Sequence, residues 1–138
     1  MRFILICMIL FFVSPASSND GQHSNKNKRI FFTNLSDGES VTSPVTVRFG
    51  IKGMSIVPAG INKPMSGHHH LLINLENLPD MTKLIPADKN HLHFGKGQTE
   101  TQLNLPSGRH TLQLLLGDYM HVPHEKPLIS DKIEIIVK

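Results

Sequence analysis

The chain has 138 residues, with 14 Lys plus Arg against 11 Asp plus Glu, a formal charge of +3, a single Cys and no Trp. That length limits it to one domain. Nine histidines stand far above ordinary usage, which is dominated by Leu, Ala, Gly, Ser, Val, Glu and Lys, and a functional reading has to explain them.

Met1 and Arg2 lead into an apolar stretch over 3–13, followed by Ser14, Pro15, Ala16, Ser17 and Ser18. This is the basic start, apolar centre and small-residue cleavage site of a secretory signal peptide over 1–18. The stretch is too short to cross a bilayer, which takes roughly 20 residues, so a periplasmic or secreted protein without stable membrane insertion is expected. Removal of the signal takes Arg2 and Cys7 with it. The charge falls by one, and disulfides and thiolate metal sites are excluded. Residues 19–28 are polar and read as a flexible leader in which His23 is solvated.

Downstream, short alternating runs separated by turn residues predict strands, without a helical period. The first covers 29–33 and ends at the turn Ser36, Asp37, Gly38. In the second, Val45, Val47, Phe49 and Ile51 alternate with Thr46, Arg48 and Gly50, the pattern of a half-buried strand. Residues 51–67 hold three Gly and two Pro and read as a long loop. Residues 68–75 are apolar on both faces from Leu71 onward, which suits a central strand. A short edge strand is expected within 81–94. Residues 99–105 and 110–116 form a hairpin about the turn Pro106, Ser107, Gly108. After a second long loop over 117–128, a strand over 132–137 closes the chain. About seven strands in a single domain over 29–138 predict an all-β fold, an immunoglobulin-like antiparallel β-sandwich without the Cys and Trp marks of true immunoglobulin domains.

If successive strands run in opposite directions, His68, His69, His70, His91, His93, His121 and His124 fall in or beside loops at one end of the sandwich. His110 falls at the other end and His23 in the leader. Side chains two apart in an extended strand point the same way, so His68 with His70, and His91 with His93, form two forward-facing pairs. Neutral imidazole is the commonest metal ligand and suits Zn, Cu, Fe and Ni. The candidate metal ligands are therefore His68, His70, His91, His93, His121 and His124, with copper or zinc as the ion. Met65 and Met120 adjoin two of these groups and as thioether ligands would favour copper. Asp88, Glu100, Asp118 and Glu125 are placed to orient imidazoles by hydrogen bonding.

A different use of the same residues is a non-enzymatic interaction or acid-responsive module whose histidines form a structural hydrogen-bond network. His69, sharing a face with Leu71, Ile73 and Leu75, is better read as a packed histidine with one satisfied nitrogen, and Met54 and Met81 as gap-filling core residues. Nucleophilic catalysis has no Cys and no Gly-x-Ser-x-Gly elbow to work with, and no catalytic residue is assigned. Three histidines with an open position would also serve a metal-dependent enzyme, but no substrate class follows. Only Phe31, Phe32, Phe49, Phe94 and Tyr119 remain as aromatics after the signal, which argues against a single-stranded nucleic-acid platform.

The strings GHHHLLI (67–73), NHLHFGKGQTE (90–100) and HTLQLLLGDYMHVPH (110–124) together resemble an exported bacterial family known as domain of unknown function 4399. The likeness extends over 30–138 and includes 54–64, with Val57-Pro-Ala-Gly60. It implies a small exported domain built around these histidine motifs and carries no activity with it.

Overall fold

A computed structural model describes residues 27–138. The predicted signal peptide, Cys7 and His23 lie outside the described residues. Nine strands follow in order: β1 (Arg29–Phe32), β2 (Glu39–Val41), β3 (Val45–Lys52), β4 (Ser55–Ile56), β5 (Ser66–Ile73), β6 (His91–His93), β7 (Glu100–Leu103), β8 (Gly108–Gly117) and β9 (Ile133–Val137). Among the described residues no helix is long and apolar enough to cross a membrane.

The strands form an all-β sandwich. One sheet has three antiparallel strands in the order β1-β3-β7, and the other has six, in the order β2-β9-β8-β5-β4 with β6 also paired to β5. Nine strands replace the seven expected because two are too short to show a period. β2 and β4 have three and two residues, and each makes a parallel pairing, β2 with β9 and β4 with β5. The edge strand expected within 81–94 is β6, antiparallel to β5 with His93 opposite His70.

Period-two alternation sets the inner faces. In β3, Val45, Val47 and Phe49 are buried while Arg48 is exposed, and in β9 Ile133, Ile135 and Val137 are buried. These meet Leu71 and Ile73 of β5 and Leu112, Leu114 and Leu116 of β8 in one core. Each such side chain withdrawn from water contributes roughly 1.5–3 kcal/mol.

β5 breaks the half-buried rule, because all eight of its residues are buried. Its inner face joins the main core. Its outer face is roofed by the long connections before β6 and after β8, where Leu72 and Leu115 pack with Ile85 and the partly buried Leu75, Met81 and Ile129 in a second, smaller core. The chain after β8 turns back along it: Leu116 N–H donates to Leu128 O at 3.0 Å and Ser130 N–H to Leu114 O at 2.9 Å. A strand enclosed on both sides leaves any polar side chain within it cut off from solvent, which sets the conditions for the three histidines at its start.

His69 points into the main core, 0% exposed, with its ring 5.1 Å from that of Phe49. The packed position is as expected, but neither ring nitrogen has a hydrogen-bond partner among the described residues, where one was expected to be satisfied. A buried polar group without a partner costs about 1–3 kcal/mol. His69→Leu, close in volume, is therefore expected to leave the unfolding free energy unchanged or raise it by about 1 kcal/mol, as read by urea denaturation. A clear loss of stability would mean that the imidazole makes an interaction the packing does not reveal.

Candidate functional site

His68 and His70 project from the outer face of β5, the parity opposite to His69. The β5–β6 register sets His93 directly across from His70, and their ring centroids are 5.1 Å apart. His121 reaches the same place from the loop after β8. The four imidazoles are mutual neighbours: centroids lie at 4.8 Å for His68–His70, 4.9 Å for His68–His93 and for His68–His121, and 4.6 Å for His93–His121, with His70–His121 widest at 6.2 Å. One ring nitrogen from each of His68, His70 and His93 lies within 4.8 Å of the others. His68 and His70 are fully buried and form the floor, whereas His93 is exposed. The cluster thus opens on one side.

Turn chemistry fixes the fourth member. Asp118 Oδ1 accepts from the backbone N–H of Met120 at 2.8 Å and of Val122 at 3.0 Å, and the His121 N–H donates to the Asp118 carbonyl at 3.0 Å. This tight turn holds His121 at a φ of 65°, a left-handed conformation in which His is several-fold enriched among non-glycine residues. The His121 carbonyl in turn accepts from Ile85 N–H at 2.8 Å, which ties the loop to the roof over β5.

Space for the rings comes from two glycines, Gly95 and Gly117. A Cβ on Gly117 would sit 2.6 Å from His70 Cε1, and one on Gly95 would overlap the His93 ring. The only sequence sign of Gly117 was a glycine ending the run Leu114-Leu115-Leu116.

The other predicted positions are elsewhere. His91 shares the face of His93 but lies opposite Leu72, one pleat further along. Its Nδ1–H donates to Asp88 Oδ1 at 2.8 Å, and that bond is the leading reason the Asp88 carboxyl is held below its ordinary pKa. His124 is partly buried with an unpartnered Nε2 and lines a separate cleft. Met65 and Met120, candidate thioether ligands, are 50% and 54% exposed, and neither belongs to the group of converging donors formed by His68, His70 and His93. Glu100 is engaged across the three-stranded sheet with Arg48 at 3.1 Å. Three of the four clustered histidines stand on strands, so the site is built on the outer face of a sheet instead of in loops at the sandwich mouth.

His110 shows what a satisfied buried histidine looks like in this fold. Its Nε2–H donates to Pro106 O at 2.8 Å, since a carbonyl can only accept, which leaves Nδ1 to accept from Asn74 Nδ2–H at 2.9 Å. His68 has a partner at neither nitrogen among the described residues, and His70 has none at Nδ1. A hydrogen-bond network holding the cluster together is therefore absent at these atoms. Burial lowers the His68 pKa to about 4, helped by His93 and His121 and opposed by Asp118. Burial, then His68, His93 and His121, take His70 to about 3. His93 is lowered too, by desolvation and then by His121. The floor imidazoles are neutral with free lone pairs at neutral pH, and their protonation falls below the pH 5–8 range of histidine switches.

Residues 47–138, which contain all four clustered histidines, match the family described as Domain of unknown function (DUF4399). No curated protein and no solved structure matches the chain.

Burial also lowers His69 to about 4, so three histidines have folded pKa values below the unfolded value of about 6.5. Between about pH 4 and 6.5 the unfolded chain binds more protons, and stability rises with pH across that window. The denaturation midpoint of the metal-free protein is expected to drop as pH is lowered from about 7 to about 5. A constant midpoint over that range would contradict buried, neutral imidazoles.

Proposed function

The chain belongs to the DUF4399 family, and we propose that it is an exported metal-binding protein that holds a copper or zinc ion with His68, His70, His93 and His121. The observation that carries this reading is the convergence of His68, His70 and His93 ring nitrogens within 4.8 Å, with both nitrogens of His68 and Nδ1 of His70 buried and without partners among the described residues, beside the His121 ring. In an apolar setting such nitrogens are costly unless something binds them.

The dimensions fit. Metal–nitrogen bonds of about 2.0–2.1 Å in a tetrahedron put ligand nitrogens about 3.3 Å apart and imidazole centres about 5 Å apart. The observed centroid separations run from 4.6 to 6.2 Å, and the three converging nitrogens, within 4.8 Å, need to close by about 1.5 Å at most. The donor set is all imidazole, which suits Zn, Cu, Fe and Ni. Low pKa values support it further, because a metal competes with protons for the same lone pairs. His91 and His124 drop out of the ligand set, the first held by Asp88 and the second lining the neighbouring cleft.

Calorimetric titration of the chelator-treated protein with Zn(II) and Cu(II) tests this. One-site binding is expected, weakened about 100-fold or more in the His70→Ala/His93→Ala variant and unchanged in His91→Ala. Gly117→Ala is expected to weaken binding about tenfold or more by displacing His70. Absence of binding tighter than millimolar, or equal binding in the His70→Ala/His93→Ala variant, would overturn the proposal.

A further inference from the structure

A cleft of about 610 Å3 lies next to the histidine cluster, sharing Asp118 with its flank, yet none of the four clustered imidazoles lines it. Its volume is within the roughly 300–1,000 Å3 of small-molecule sites. Cations reach it from three separate parts of the chain: Lys28 and Arg29 at the start of β1, Lys63 from the loop before β5, and Lys126 from the loop after β8. The ion pairs among the described residues are Arg48–Glu100, Lys83–Asp80, His91–Asp88 and Arg109–Glu134, so none of the four cations is paired. Arg29 instead lies over the Phe31 ring at 4.8 Å.

Two carboxylates, Asp118 and Glu125, also line the cleft. Asp118 Oδ1 is already engaged by two backbone N–H groups. Four cations against two carboxylates leave an excess of two positive charges. The same cleft is bordered by large apolar side chains left uncovered by the fold: Ile61 and Met65 are each 50% exposed and Tyr119 38%. Concentrated positive charge beside exposed apolar surface matches a ligand with the opposite charge and an apolar body.

We propose that this cleft binds a phosphate monoester carrying an apolar or aromatic group. The phosphate dianion meets the unpaired lysines, which act as point-charge phosphate binders, and the ester group covers Ile61, Met65 and Tyr119. The site uses residues outside the histidine cluster and stands whether or not a metal is bound.

Calorimetry of the full chain, freed of metal by chelator, with phenyl phosphate, inorganic phosphate and benzyl alcohol at equal ionic strength tests it. Saturable binding of phenyl phosphate, tighter than that of the other two, is expected. Lys63→Gln/Lys126→Gln should weaken it about tenfold or more, and His70→Ala/His93→Ala should leave it intact even if metal binding is lost or was never present. Vesicles containing phosphatidic acid that displace phenyl phosphate identify a lipid headgroup as the source, and vesicles that leave it bound identify a free ester. No saturable binding, equal affinity for inorganic phosphate, or unchanged affinity in the lysine variant would overturn the proposal.

Discussion

Everything distinctive about this domain depends on the enclosure of β5 on both faces. A sandwich strand ordinarily buries alternate side chains and shows the rest to water. Here the connections before β6 and after β8 fold over the outer face while the main core covers the inner one, and His68, His69 and His70 enter surroundings where an imidazole nitrogen without a partner is expensive. Their low pKa values and open lone pairs follow from that one arrangement.

The two faces carry different tasks. Inward, His69 fills space against Phe49 as part of a core whose burial from β3, β5, β8 and β9 supplies the stability. Outward, both ring nitrogens of His68 and Nδ1 of His70 give up hydration without regaining hydrogen bonds among the described residues, a local cost borne by the packing around them. The glycines follow the same logic: Gly95 and Gly117, without a Cβ, leave room for the rings of His93 and His70. A metal ion would convert this strained polar floor into a satisfied one, and binding energy would then appear as folding energy.

Much of the site was legible in the sequence because period two is a strict rule in strands. It separated His68 and His70 from His69 and put His91 and His93 on a common face, while the alternation of strand directions sent His110 to the far end of the sheet, where it bonds to Asn74 and Pro106. What parity cannot supply is register. Whether His91 or His93 meets His70 depends on how β6 slides along β5, and Asp88, three residues ahead of His91, engages the His91 ring. His121 was a loop residue whose place depends on the Asp118 turn and a positive φ. β2 and β4 were hidden for another reason: their parallel partners β9 and β5 impose the strand conformation on runs too short to declare it.

The most direct test of the central claim is X-ray absorption at the metal edge of the zinc- or copper-loaded protein. An all-imidazole site predicts first-shell scatterers at about 2.0–2.1 Å with the outer-shell scattering of several histidine rings and no sulfur near 2.3 Å. A first shell of oxygen atoms without imidazole scattering, or a sulfur contribution, would contradict the account.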